Sequence, residues 1–314
     1  MRYIVSRAGI VAAAAAAALL AAGAGVHAGG SGEQTSPRTA PEEILVSPEW
    51  IAERAENIVV LEVGRDFEEF EAGHVPGAVY VEGGIIATER DGVGGLLPEP
   101  ETVAADLADL GVSNDTPVVV YDAGHGTWAG RLFWALEYLG HQQVHLLDGG
   151  LTAWDQAQME LSREIRAPER GDFTAEVRDE LLADQEYVED TLDGDEVLIL
   201  DARSPEEYRG EDVRAERGGH IPGAVNLNWV NNTRDDDPRF RPLEELAEVY
   251  EEAMTGYDGE VVTLCQAGFR AAHSYVALRV LGHENARMYD GSWAEWGNDA
   301  DTPIETGAPD DIDT

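Results

Sequence analysis

Short, unbroken apolar runs alternate with longer stretches of helical spacing along this 314-residue chain. The runs at 58–63, 117–121 and 144–147 are apolar on both strand faces, which predicts strands buried within a sheet. Between them lie two predicted helices, 99–110, where Val103, Leu107 and Leu110 share a face, and 128–139. The alternation then restarts, with strands at 197–200, 261–264 and 286–289 and helices at 243–254 and 270–281. Short buried strands separated by helices predict parallel βαβ units with helices over both faces of each sheet, an α/β fold.

The restart is a duplication. Gly73-His74-Val75-Pro76-Gly77-Ala78-Val79 returns as Gly219-His220-Ile221-Pro222-Gly223-Ala224-Val225. Leu139-Gly140-His141 returns as Leu281-Gly282-His283, and Asp148-Gly149-Gly150 as Asp290-Gly291-Ser292, both 142 residues later. Trp154 and Trp296 each follow six residues after the aspartate. A period of that length is domain-sized, not a solenoid repeat. The expected organisation is a domain over 42–161, a Pro/Arg/Glu-rich linker over 162–174 and a second domain over 175–300. A polar leader (29–41) and an acidic tail (301–314), read as frayed from Asp299 onward, flank them. Residues 1–28 read as a signal peptide: Arg2 and Arg7 precede an apolar run over 10–24, and Val26-His27-Ala28 suits cleavage. That predicts export to a periplasmic or extracellular location without stable membrane association. An uncleaved anchor is the alternative.

Charge narrows the partners. Twenty-one basic residues, every one Arg, face 62 Asp and Glu, a net charge of −41. Such a surface repels phosphate backbones and anionic lipid, which excludes nucleic-acid binding. The absence of Lys and the carboxylate excess resemble proteins of saline environments. A single Cys excludes an intrachain disulfide and multi-Cys metal sites. With no Gly-rich phosphate loop and no His/Cys ligand cluster, neither cofactor nor metal is expected.

The candidate chemistry sits where the copies differ. The strand ending at Tyr121 is followed by Asp122; its counterpart ending at Leu264 is followed by Cys265. The Cys therefore lies at the carboxyl edge of a parallel sheet, where open α/β proteins place their sites. It opens the loop Cys265-Gln266-Ala267-Gly268-Phe269-Arg270, which leads into a predicted helix. Gly268 permits a tight curl, successive N–H groups can converge as an anion nest, and the helix start adds positive potential. Both effects favour thiolate over thiol. A buried structural Cys is the bland alternative for an isolated one; the Gly and Arg that open the helix point to a reactive thiol. Asp201-Ala202-Arg203, at the end of the second copy's first strand, reads equally as an anion-binding pair or an internal salt bridge. His74 and His220 recur with the Pro-Gly turn and read as structural.

These residues make the chain resemble a tandem-domain rhodanese, a thiosulfate or 3-mercaptopyruvate sulfurtransferase. The carriers are the paired His-Val/Ile-Pro-Gly-Ala signatures and Tyr289-Asp290-Gly291-Ser292-Trp293-Ala294-Glu295-Trp296, spanning about 47–296. The resemblance implies two rhodanese-like domains, with Cys265 carrying the transferred sulfur as a persulfide. It implies donor binding by Gln266, Ala267, Gly268, Phe269 and Arg270, with Asp201 and Arg203 as further contacts. The donor would be thiosulfate, and the acceptor cyanide or a thiol. Mercaptopyruvate as donor, and a non-catalytic module that docks a sulfur carrier or redox partner, are the alternatives. Asp122 marks the first domain as inactive, with Tyr121 and the loop 123–128 facing Cys265 across the interface. Glu207 stands beside Tyr208 where the family often carries a cation, so Arg209 or Arg270 is the expected substitute. Four residues between Cys265 and Arg270, not the five of related phosphatases, suit a sulfur atom better than a phosphate. No exposed apolar helix face demands a partner, and a monomer is expected.

Overall fold

The computed structural model describes residues 38–307 apart from 193, 195, 256 and 258. The expected signal segment, most of the leader and residues 308–314 of the tail lie outside the described residues.

The two copies fold into two five-stranded parallel sheets of the same topology. The first contains β1 (Leu45–Val46), β2 (Val59–Val63), β3 (Val79–Val81), β6 (Val118–Tyr121) and β7 (Val144–Leu147), in the order β1-β7-β6-β2-β3. The second contains β8 (Leu182–Ala183), β9 (Val197–Asp201), β10 (Val225–Asn226), β13 (Glu260–Leu264) and β14 (Ala286–Tyr289), in the order β10-β9-β13-β14-β8. Each domain also carries an antiparallel hairpin outside its sheet: β4 (Thr88–Arg90) with β5 (Val93–Leu96), and β11 (Thr233–Arg234) with β12 (Asp237–Phe240). In order, the helices are α1 (Pro41–Ile44), α2 (Pro48–Arg54), α3 (Phe67–Ala72), α4 (Pro100–Asp109), α5 (Thr127–Tyr138), α6 (Gly150–Gln156), α7 (Gln185–Thr191), α8 (Pro205–Arg209), α9 (Leu243–Met254), α10 (Phe269–Val280) and α11 (Ser292–Trp296). β6 and β13 are the middle strands, buried along almost their whole length, as their β-branched runs require.

The domains meet through α5 and α10, equivalent helices of the two copies. One apolar cluster runs through both, joining Leu132, Ala135 and Leu136 to Ala271, Ala272 and Leu278. A Cβ at Gly130 would sit 3.1 Å from the His273 nitrogen, so only Gly lets the backbones approach this closely. A buried ion pair crosses the same seam: Glu137 accepts from Arg279 at 3.0 and 3.1 Å and from the Tyr275 hydroxyl at 2.6 Å.

The flanking segments are more ordered than their composition implies. Arg38 donates to Tyr275 and to the Glu284 carbonyl, and Thr39 is buried against Val144. The 162–174 stretch lacks helix and strand but is pinned to the first domain through Gly171 N–H to Ala108 and Phe173 N–H to Val112. The tail does not fray at Asp299. Glu305 forms a bridge with His220, Thr302 is buried, and Trp296 donates to the Pro303 carbonyl at 2.8 Å. Apolar Ile304, against the second domain's lesser cluster, supplies a contact that the surrounding carboxylates conceal in the sequence.

Candidate active site

Cys265 follows β13 directly and lies at the carboxyl edge of the second sheet, with only 1% of its surface exposed. Its backbone is held by α11. Cys265 N–H donates to the Ser292 hydroxyl at 3.2 Å, Trp293 N–H to the Cys265 carbonyl at 2.9 Å, and Ala294 N–H to the Gln266 carbonyl at 2.8 Å. Ser292 sits at φ 50, a conformation rare for a residue with a Cβ, and its hydroxyl donates in turn to Tyr289. The Tyr-Asp-Gly-Ser-Trp signature is thus the clamp on the cysteine loop, a role no spacing rule reveals.

The loop then curls. Gly268 caps α10 at φ 83, and among the described residues the N–H groups of residues 266–271 find no acceptor; the first bond of the helix is Ala272 N–H to the Gly268 carbonyl. Unpaired donors at a helix start favour an anion. The first domain demonstrates what this geometry takes. There Gly126 caps α5 at φ 75, and the Asp122 carboxylate accepts from Gly124, Gly126, Trp128 and Ala129 N–H at 2.8, 3.0, 3.2 and 3.3 Å. The vestigial loop has one more residue between strand and capping Gly, and its own carboxylate fills it.

The charged residues around the loop are arranged differently from the sequence expectation. Arg270 does not stand free for an oxyanion. It forms a two-pronged pair with Glu207 at 2.5 and 2.8 Å, and Glu207 is itself fixed as the capping-box residue of α8 on Ser204 N–H. Burial works against the Glu207 carboxylate, but Arg270 and the Ser204 amide hold its pKa below the usual range. Burial likewise disfavours the Arg270 cation, and Glu207 together with the Cys265 sulfur beside it overrides that and raises its pKa. Asp201 and Arg203 form an internal pair, the second of the two readings their sequence offers. Arg203 is 1% exposed, bonds Asp201 at 2.6 and 3.0 Å and the Gly219 carbonyl at 2.7 Å, and stacks on Trp293. Its Nε and one terminal nitrogen are both committed to these internal acceptors. More exposed than Arg209 or Arg270 is Arg214, with 53% of its side chain exposed and a surface pair with Asp212 at 2.7 Å. Gln266 donates to the Arg214 carbonyl at 3.2 Å, and the guanidinium lies 3.6 Å from Glu207. Arg214 belongs to eight residues that the second copy has and the first lacks: Tyr208 precedes His220 by 12 positions, whereas Phe70 precedes His74 by 4.

The first domain covers part of the loop. Gly95, in the β4–β5 hairpin, lies so close that a Cβ would stand 2.7 Å from the Ala267 carbonyl, and Leu97 N–H donates to Asp290 at 2.9 Å. Trp128 packs on Phe269 with ring centres 4.5 Å apart, so part of the 123–128 loop does approach the catalytic loop. Tyr121 does not. It is buried within its own domain against Glu62 and donates no contact across the interface. His74 and His220 are structural, each sharing a hydrogen bond with a carbonyl (Phe70, Tyr208) and stacked on that residue's ring. Among the described residues no group of three or more His, Cys, Asp or Glu is arranged to hold a metal ion, and no helix is long and apolar enough to cross a membrane.

Comparison with known proteins agrees with this construction. The Rhodanese-like domain family matches twice, over residues 47–157 and 184–299. A thiosulfate sulfurtransferase of Azotobacter vinelandii is 41% identical over 233 residues, covering 74% of this chain and 86% of that protein. One from Pseudomonas aeruginosa is 38% identical with the same coverage. Among solved structures, SseA of Escherichia coli, a 3-mercaptopyruvate sulfurtransferase, superposes with a TM-score of 0.73 at 29% identity over 79% of this chain and 98% of that one. Two sheets of one topology, a cysteine at the edge of only the second, and a double family match over most of the chain place this protein in the rhodanese family, in its tandem-domain form.

Proposed function

We propose that the protein is a thiosulfate sulfurtransferase working through a persulfide on Cys265. The Cys265 thiolate attacks the outer sulfur of thiosulfate, the S–S bond breaks, and its electron pair leaves with sulfite. The persulfide so formed passes its terminal sulfur to cyanide, giving thiocyanate and regenerating the thiolate, or to another thiophilic acceptor. This is double displacement, and no second cysteine is required. The observation that carries the reading is the pair of loops. The Asp122 carboxylate is held by four N–H donors in one, and in the other the N–H groups that follow Cys265, residues 266–271, have no acceptor among the described residues. Donors aimed at a charged sulfur stabilise thiolate and persulfide alike. The first domain, with its loop filled, serves as scaffold.

Arg214 is the donor-capturing cation in this reading because its pair with Asp212 lies at the surface, with 53% and 44% of the two side chains exposed, whereas Arg203 and Arg270 are held inside by Asp201 and Glu207. Thiosulfate is favoured over mercaptopyruvate as donor by its likeness to the Azotobacter and Pseudomonas enzymes; the SseA likeness supports the second donor. The expected readout is thiocyanate from thiosulfate and cyanide, ping-pong kinetics and no turnover by Cys265→Ser. Wild-type rates equal to that variant's would refute the reading, and mercaptopyruvate in place of thiosulfate identifies the donor. Residues 1–28 support export, and the net charge of −41 supports a saline setting. Cleavage after Ala28 in a secreting host, and stability that rises between low and molar salt, are the respective tests.

A further inference from the structure

We infer that Arg131, a residue of the domain without the cysteine, is a positioning residue for the Cys265 loop. The inference rests on the sulfurtransferase reading for its substrate but on geometry for its content. Arg131 lies on α5, and its side chain is fully buried. One nitrogen donates to the Gly95 carbonyl at 2.8 Å and stands 2.6 Å from Asp290 Oδ1 as an ion pair without hydrogen-bond alignment, and Nε donates to the Ile86 carbonyl at 3.2 Å. The remaining nitrogen, Nη1, has only the Met288 sulfur at 4.0 Å as acceptor and rests against Gly268, where a Cβ would stand 2.7 Å away. A single guanidinium thus joins the hairpin that covers the loop, the aspartate of the Tyr-Asp-Gly-Ser clamp and the glycine that caps α10.

The pseudo-symmetry of the molecule shows that this is not generic packing. The residue 142 positions after Arg131 is His273, and it plays the mirror part: a Cβ at Gly126, the cap of α5, would meet the His273 ring at 2.7 Å. Each domain therefore presses the fifth residue after its capping glycine onto the other domain's capping glycine. The two differ in charge. His273 is wholly buried and kept neutral, with burial holding its pKa near 3. It faces the loop that already contains the Asp122 carboxylate. The permanent cation faces the loop in which a charged sulfur must be held. A cation seated against the capping glycine of that loop adds positive potential there and would be wasted on the other.

The test compares Arg131→Met with Asp290→Asn in the full chain, which keeps an acceptor for Leu97 N–H while leaving Arg131 unneutralised. Two readouts are taken on protein with wild-type tryptophan emission and a cooperative melt: iodoacetamide alkylation of Cys265 against pH, and kcat/KM for thiosulfate. Arg131→Met is expected to move the alkylation midpoint up by about half a unit or more and to lower kcat/KM about tenfold. Asp290→Asn is expected to move the midpoint down. Movement of both variants in the same direction overturns the inference, as does an alkylation profile and kcat/KM within twofold of wild type in folded Arg131→Met. If Arg131→Met does not fold, Asp290→Asn decides alone, and an unchanged or raised midpoint is fatal. Wild-type protein that takes up no sulfur from thiosulfate refutes the proposed reaction instead, and leaves the alkylation profiles to judge Arg131.

Discussion

Replacing Asp122 by Ala should empty the vestigial loop and turn it into an anion site. Four N–H groups lose their acceptor. Hydrogen bonds to a charged group contribute roughly 1.5–3 kcal/mol each, and an orphaned buried donor costs about 1–3 kcal/mol. The four share two oxygens, and Gly126 and Trp128 are only half-buried, so water replaces part of what they lose. Counting about 1 kcal/mol for each buried donor, Gly124 and Ala129, and about half of that for the other two, the variant should lose roughly 3 kcal/mol. A small tetrahedral anion can then enter. Binding only the folded state adds about 2.7 kcal/mol at a hundred times the dissociation constant, enough to restore most of the loss. Urea unfolding of wild type and variant, with sodium sulfate against sodium chloride at matched ionic strength, measures both effects. A variant within about 0.5 kcal/mol of wild type, or one that gains no more from sulfate than wild type does, would refute the loop as an anion site.

Three further outcomes follow from the same structure. Burial raises the Asp148 carboxyl to about 6 from its usual 3.8, against the opposing Phe240 N–H. A raised folded-state value means that stability declines as pH climbs from about 4 to 6, by at most about 3 kcal/mol. Asp148→Asn should therefore be the more stable protein in urea at pH 7.5 and lose that advantage by pH 4; parallel pH profiles would contradict this. Arg203→Met leaves buried Asp201 without its partner and should lower stability by about 3–5 kcal/mol while leaving the KM for thiosulfate unchanged in what folds. A raised KM at unaltered stability would restore Arg203 as a donor contact. Arg214→Ala, at an exposed position, should alter stability by less than about 0.5 kcal/mol. It should also raise the KM for thiosulfate about five- to tenfold at low salt, and less at molar salt; an unchanged KM would remove it from donor capture.

How much of this was legible depended on range. The central strands declared themselves because a parallel strand buried on both faces must be an apolar, β-branched run, and Val118–Tyr121 and Glu260–Leu264 are nearly that. The edge strands Leu45–Val46, Leu182–Ala183 and Val225–Asn226 have two residues each and leave no period to read. The hairpins were missed because their first strands carry no apolar pattern: Thr88–Arg90 is exposed at all three residues and Thr233–Arg234 has only two, although Asp91-Gly92 at the first turn is a hairpin signal in its own right. The Cys265 loop was legible since strand, Gly and helix adjoin in sequence. The commitments of the charged side chains were not. Arg270 finds Glu207 63 residues away, and Arg131 finds Asp290 across the domain boundary. An isolated Arg in a sequence looks available; only the fold tells which carboxylate already holds it.

The same range argument explains why a domain without chemistry persists as half of the molecule. The aspartates of the two Asp-Gly motifs, Asp148 and Asp290, each accept an N–H from the other domain's hairpin, Phe240 and Leu97. α5 and α10 pack through Gly130 and the paired alanines Ala271 and Ala272, and their equivalent positions 137 and 279 carry opposite charges that pair with each other. Two identical copies would set Glu against Glu or Arg against Arg at that point, so the present interface requires the copies to differ. Once they differ, only one loop needs a cysteine. The other domain's contribution is to keep Gly268, Ala267 and Asp290 in place from outside, a constraint that the ten residues around Cys265 cannot impose on themselves.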